Sequence, residues 1–403
     1  MQPQKILLLT DCPPNKHYSG SLMTVSLLNL LLTYNFCCYV VVDPKLDYKE
    51  FDETIYNIPK RIHNKTKETN VSLFDYYLNK FINLPKIAKD IIKFAKQNQI
   101  DCIWSILQGQ NIVCLTDILI KKSGLPVKVQ IWDSFEWWLR VRKIKPVLQK
   151  KYLEIFDQVI LGADAIATAS DNMVAEYRKK YHRDSQAILS FLDNKSYDNL
   201  SQNTFLNDDV LLIGFCGQLY AKNNFLSLFN ALNQINWQVG NKKIKLRLMT
   251  YIKNINDLRS YFDNIDIKDE NVELLGWVKT NEVIKLLSEC DLLYCPFWFD
   301  EEFKLEAETS FPSKLTTYLA VNRPILMHAP EYSSPYSFLK KYNAALFCKY
   351  LSTGSLAATM EQLNNKYLIS QIMENANNAF KENLVPSVTK KKMEKFLSIS
   401  NKI

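Results

Sequence analysis

The segment richest in groups able to do chemistry lies between Thr309 and Leu326. It runs Thr309-Ser310-Phe311-Pro312-Ser313-Lys314-Leu315-Thr316-Thr317-Tyr318-Leu319-Ala320, then Val321-Asn322-Arg323-Pro324-Ile325-Leu326. The order reads as a polar loop, a helix entered through Pro312-Ser313, a tight turn at Asn322 and a strand, since proline is preorganised for a first helical turn. The first turn of a helix offers unpaired backbone N–H groups and the positive end of the dipole, and Lys314 adds a cation. Together these make a phosphate site. A plain loop–helix–strand crossover accounts for the same spacing, so on the residues alone both readings stand.

Two other constellations carry reactive groups. His17-Tyr18-Ser19-Gly20 follows the first apolar run, where His17 is either a base or simply an exposed loop histidine. Trp132-Asp133-Ser134-Phe135-Glu136-Trp137-Trp138 follows another apolar run. A carboxylate such as Asp133 at the C-terminal end of a strand faces the crevice of an open α/β sheet; the alternative is ordinary packing at a helix start. Arg140, Arg142, Lys143, Lys145, Lys150 and Lys151 come next. A basic helix with tryptophans at one end suits an anionic membrane surface better than nucleic acid, whose binding stretches interleave aromatics with cations. A solvated helix face is the plain alternative. No C-x-x-C, no Cys/His cluster and no D-x-D motif occurs, so no metal and no bound cofactor is expected.

The elements that must position these groups follow from length and pattern. At 403 residues the chain suits two domains rather than one. With 47% apolar and 23% charged residues it is globular. A net charge of +8 fits a nucleotide sugar, a lipid surface or nucleic acid and selects none of them. Nine cysteines, mostly inside apolar runs, suit a reducing cytoplasm. Ile6-Leu7-Leu8-Leu9 is too short for the core of a signal peptide, so a cytoplasmic protein is expected. The uncharged stretch from Tyr18 to Val42 changes from helix-like to strand-like at Asn35-Phe36, and a helix followed by a buried strand explains it better than a membrane span.

Lys5 to Thr10 reads as a strand, Ser19 to Tyr34 as a helix closed by Asn35, and Cys38 to Val42 as a strand: a βαβ unit. Further strands are expected at Cys102–Leu107, Val127–Trp132 and Ala165–Ala169, with an amphipathic helix over Pro85–Gln97. A second series runs through Val210–Cys216, Ile244–Thr250, Val272–Leu275, Leu292–Cys295 and Pro324–Met327. Apolar strands alternating with helices mean parallel sheets covered on both faces. The expected division is a first domain over 1–190, a linker over 191–209, a second domain over 210–375 and a C-terminal helical piece over 376–403 packing back on the first domain. Lys366 to Ser398 reads as one helical segment.

The Thr309–Leu326 segment resembles the donor-site signature of retaining GT-B glycosyltransferases of the large family 4 type, E-G-F-G-L-P-x-x-E-A-x-A-x-G-x-P-V-I. It is closest to the S-F-P-[ST]-K-L-x-x-Y-L-A-x-x-R-P-I-L variant found among enzymes acting on cell-surface glycans. The resemblance implies two Rossmann-like α/β domains facing each other across a cleft. Ser313 and Lys314 would then fall on the turn that binds the diphosphate of a nucleotide-sugar donor, with Ser310 and Phe311 also in the donor site. Both glutamates of the family's pair are absent, with Thr309 and Thr317 in their places, so sugar and ribose contacts carry over less well; Glu306 or Glu308 is the substitute for the first carboxylate. Gly214 to Leu219 resembles the strand end that opens the donor domain, placing Gly217 and Gln218 at the phosphates, with Lys222 serving for the family's lysine. Leu275-Gly276-Trp277-Val278, Asp291 to Pro296 and Ala163 to Ser170 match further family landmarks, which read as structural. On the acceptor side Ser19 and Gly20 match the glycine loop, and Asp133 and His17 are the catalytic candidates. The resemblance implies transfer of a sugar with retention, without a metal, from a nucleotide-diphosphate sugar to a glycan or lipid-linked acceptor. An epimerase of the same fold and a catalytically weak accessory subunit are the alternatives. Nucleic acid is not an expected partner, and the inner face of the membrane is the expected peripheral location.

Overall fold

The computed structural model describes residues 4–15, 19–43, 51–52, 57–192, 209–263 and 265–398. The chain divides into two compact units, Met1–Leu189 with Thr389–Ile403, and Ser190–Val388. Most of the stretch expected as a linker, 193–208, lies outside the described residues.

The first unit is built on β1 (Lys5–Thr10), β2 (Asn35–Val42), β3 (Lys60–Asn64), β4 (Cys102–Ile106), β5 (Val127–Ile131), β6 (Ala165–Thr168) and β7 (Gln186–Ala187). They form one sheet in the order β3-β2-β1-β4-β5-β6-β7, every pair parallel. Ile6 to Leu9 are fully buried because helices cover both faces, which is why the strand reads as continuous apolar sequence. Lys128, inside β5, is buried as well; it donates to the carbonyl of Ser398, and Gln4 donates to that of Leu397 at 3.1 Å. These bonds, with buried Phe396 and Leu397, tie the end of the chain into the first unit.

The second unit holds β8 (Val210–Cys216), β9 (Gln238–Val239), β10 (Lys242–Met249), β11 (Val272–Leu274), β12 (Leu292–Pro296), β13 (Ile325–His328) and β14 (Leu346–Cys348). The order is β11-β10-β8-β12-β13-β14, all parallel, with the short β9 antiparallel to β10. In both sheets the order reverses beside the first strand, between β1 and β4 and between β8 and β12. Such a switch point opens a crevice at the carboxyl ends of the strands.

Asp164 and Asp291, both expected to be structural, have matching jobs. Each follows a helix and accepts a backbone N–H near the start of a neighbouring strand, from Val127, the first residue of β5, and Leu212, the third of β8, both at 2.8 Å.

Several elements differ from the sequence expectation, among them the short strands β7, β9 and β14, which were not expected. Asn35 does not close a helix: the helix Ser19–Leu30 ends earlier, and Asn35 begins β2, its N–H donating to Gln4 in register with β1. The C-terminal helical segment is two helices, Lys366–Asn383 and Pro386–Leu397, because Pro386 lacks the N–H to continue the first and suits the start of the second. Strand β3, of sequence Lys-Arg-Ile-His-Asn, was not expected; it is a largely exposed edge with no apolar run to announce it.

Candidate functional site

The switch point of the second sheet gathers the strongest candidate. After β8 the chain turns through Gly217 at φ +105°, a conformation L side chains rarely adopt, and the Gly217 N–H donates to Met249. A Cβ on Gly217 would lie 3.5 Å from Cε and Nζ of Lys314, so the turn and the lysine are in direct contact. Lys314 is the second residue of the helix Ser313–Val321, which starts after Pro312 and ends at Asn322 in the left-handed region, φ 54°. Pro312 stands just outside this helix as its N-cap, with extended backbone at φ −69°, ψ 125°, and not in the first turn as the sequence suggested, whereas Asn322 ends it in the left-handed conformation that asparagine tolerates.

The Lys314 side chain folds inward. Its Nζ lies 4.1 Å from the centre of the Phe215 ring and 4.4 Å from that of Tyr220, in cation–π contact with both. The nitrogen is buried and has no hydrogen-bond partner among the described residues. Burial pushes its pKa down to about 8, partly opposed by the thiols of Cys216 and Cys295. An ammonium held out of water on ring faces alone is under-satisfied, since three donors want acceptors. Phosphate oxygens would supply them. The surrounding walls are rigid: Tyr318 accepts the Cys216 N–H at 3.1 Å, and Tyr220 donates to the Pro296 carbonyl at 3.1 Å.

The other donor-side candidates spread around this point. Gln218 is exposed beside Gly217, and Ser313 is exposed at the helix start. Thr317 is half-buried, one turn after Ser313 and three residues after Lys314, on the same side of the helix. Phe311 packs edge-on against Phe338 at 5.2 Å, and Ser310 ends the preceding helix, its N–H bonded to the Glu306 carbonyl. Thr309 is buried and donates to the Leu305 carbonyl at 2.7 Å; Glu306 is buried too. Lys222 begins the helix Lys222–Gln234 and pairs with Asp263 at 2.8 Å.

In the first unit the switch point brings Gly20 against Trp132: a Cβ on Gly20 would lie 3.3 Å from that ring and 3.6 Å from the Gln108 amide. The acceptor-side loop and the Trp132-Asp133 stretch are therefore neighbours. Asp133 is exposed just beyond β5, and Ser134 caps the helix Phe135–Val141 through the Trp137 N–H. Trp138 turns inward, donating to Gln110 at 3.1 Å with Arg142 stacked over it at 4.4 Å. His17 lies outside the described residues, as does the side chain of Ser19.

Sequence reasoning missed a buried charge cluster at the same edge. Asp11, directly after β1, lies 3.9 Å from Lys65, which pairs with Glu68 at 2.9 Å. Glu68 also accepts the Asn111 N–H at 2.9 Å, near the start of the helix Gly109–Lys122. Burial pushes the Asp11 carboxyl up to about 6, against the pull of Lys65. The only signal in the sequence was Asp11 at a strand end, because Lys65 and Glu68 reach it from the segment after the edge strand β3. Among the described residues no group of three His, Cys, Asp or Glu is placed to hold a metal ion.

Two Rossmann-like α/β units with these strand orders define the GT-B fold. The whole chain follows it in solved structures: sucrose-phosphate synthase from Thermosynechococcus elongatus is similar with TM-score 0.68 and 11% identity, covering 97% of this chain and 98% of that one. Anabaena HepE, crystallised with UDP and glucose, gives 0.65 and 12% over 98% and 99%. WaaG, a glycosyltransferase involved in lipopolysaccharide biosynthesis, gives 0.61 and 12% over 98% and 100%. At such identities the likeness is one of fold. No protein-family model and no curated sequence matches this chain.

Proposed function

We propose that this protein is a glycosyltransferase that takes a sugar from a nucleoside-diphosphate donor held by the second unit. The observation that carries the reading is the buried Lys314 ammonium, without a hydrogen-bond partner among the described residues, against the Gly217 turn at the start of a helix. A diphosphate there would meet the Ser313 and Lys314 N–H groups, the helix dipole and the ammonium in one place. The same groups would stabilise the charge that develops on the diphosphate as the glycosidic bond to it breaks. Retention of configuration, transfer without a metal and a role in cell-surface polysaccharide synthesis belong to this proposal. So do a glycan or lipid-linked acceptor on the first unit, near Gly20 and Asp133, and a peripheral membrane location through the stretch from Arg140 to Lys151. The neighbour bound to UDP and glucose makes uridine nucleotides the first to try.

A thermal-shift screen of nucleoside diphosphates and their sugars tests it, because a ligand that binds only the folded state raises the melting temperature by mass action. At least one should stabilise the protein in a concentration-dependent way. A flat response to every nucleotide at millimolar concentration would contradict the reading.

A further inference from the structure

Five large apolar side chains stand in solvent within ten residues: Leu73, Phe74, Tyr77, Phe81 and Ile82, each between 45% and 73% exposed. They ride on the short helix Leu73–Leu78 and the π-helical turn Asn79–Asn83 that follows it. The segment is firmly seated. Ser72 and Asp75 form a capping box, and Tyr76 turns inward to pack on Tyr152 at 5.2 Å. Tyr77 and Phe81 stack on the outside at 6.0 Å with nearly parallel rings. A contiguous exposed apolar patch of this kind marks an interaction surface.

Its surroundings say which kind. The Asn70 N–H reaches the Arg142 carbonyl at 3.4 Å, and the Lys151 ammonium lies 6.0 Å from the Tyr77 ring. The ledge therefore borders the basic stretch, where Arg140, Lys143, Lys145 and Lys150 are exposed together with Val141 and Val147. Of the nearby carboxylates, Asp75 and Asp117 are paired with Lys67 and Lys121, and Glu154 is exposed at the recess beside the ledge, where Lys80, Lys121 and Lys151 outnumber it. A recess of ≈ 560 Å³ opens beside the ledge, with Lys80, Phe81, Leu84, Lys151 and Ile155 among its walls. Apolar side chains flanked by cations of one sign match the boundary between acyl chains and anionic headgroups, where long basic side chains extend to the phosphates.

We infer that this ledge docks the protein on an anionic lipid bilayer, with Leu73, Phe74, Tyr77, Phe81 and Ile82 entering the headgroup–acyl boundary. The fold thus adds Tyr77, with Phe74 and Phe81 on the same ledge, to the aromatic neighbours of the basic stretch, while Trp138, over which Arg142 stacks, faces the core. The inference stands on the first unit alone; it rests on the membrane location proposed above, to which it adds the apolar ledge, and not on the donor reading.

The test is co-sedimentation of the full chain with vesicles of phosphatidylcholine alone or mixed with phosphatidylglycerol. The wild type should bind the anionic vesicles at least ~10-fold better and be released by salt. The exposed triple variant Phe74→Ser/Tyr77→Ser/Phe81→Ser should lose ~10-fold or more of that binding while keeping its circular dichroism spectrum. The charge-reversal variant Lys143→Glu/Lys145→Glu/Lys150→Glu should lose it equally, which keeps the test sharp should the first variant misfold. Equal binding to both vesicle types, or unchanged binding by both variants, would overturn the inference. So would a wild-type dimer in sedimentation equilibrium that the triple variant dissolves, since the ledge would then belong to a second copy.

Discussion

The ammonium of Lys314 rests 4.1 Å from the centre of the Phe215 ring with no hydrogen bond to any described residue. In the ligand-free protein this is a cost. Depression of the pKa from 10.5 to about 8 means the folded state binds fewer protons than the unfolded one between those values. Stability is therefore reduced below pH 8 and recovers as pH rises toward 10.5, by at most about 3 kcal/mol. Lys314→Met keeps the volume and removes the charge. Thermal denaturation should show it about 1–3 kcal/mol more stable than wild type at pH 7, after the loss of the cation–π contacts, with the gain shrinking near pH 10. A variant that melts at or below the wild-type temperature at pH 7 would show that the ammonium is not under-satisfied.

Thr317 is the position where the resembled donor signature has a carboxylate. It is half-buried on the helix Ser313–Val321 and shares a side with Lys314. Thr317→Glu should fold normally and should bind ribonucleotides in preference to 2′-deoxyribonucleotides more strongly than wild type does. Replacing a neutral bond by a charge-assisted one is worth about 1 kcal/mol, or roughly fivefold in relative affinity. Calorimetry with the two nucleotide types reads it. No change in their ratio would remove Thr317 from the ribose site.

The sheets were legible because doubly buried parallel strands write themselves as short apolar runs, as Ile6 to Leu9 and Leu292 to Cys295 do. Strand β3 is polar and owes its pairing to β2, across an intervening loop, while β9 is only two residues long and folds back on the adjacent β10; no apolar run records either. The same holds at the site. Pro312, Lys314 and Asn322 declare a helix with a cation at its start. That the lysine folds back between Phe215 and Tyr220 depends on β8 lying next to β12, a fact of topology. The basic stretch from Arg140 to Lys151 was visible, whereas Tyr77 and the exposed rings beside it sit some seventy residues earlier in the chain.

Asp11 offers a test of the first unit. Its carboxyl is buried and raised from 3.8 to about 6, so between those values the folded state holds more protons than the unfolded one. Its contribution to stability is complete below pH 4 and is lost as pH climbs through 6, by about 3 kcal/mol at most. Urea unfolding of Asp11→Asn across pH 4–7 should show a flatter pH dependence than wild type. Parallel curves would mean that Asp11 is ionised throughout and that its pairing with Lys65 outweighs burial.

The most direct test of the donor reading uses the nucleoside diphosphate that gives the largest thermal shift, titrated calorimetrically into wild type and Lys314→Met. A buried ammonium that closes its hydrogen bonds on a diphosphate contributes about 1.5–3 kcal/mol, the range for bonds to charged groups. The variant should therefore bind roughly 10- to 150-fold more weakly while remaining folded and more stable without ligand. Equal affinity in the two proteins would contradict the account, because the buried Lys314 ammonium at the Gly217 turn would then have no part in holding the donor.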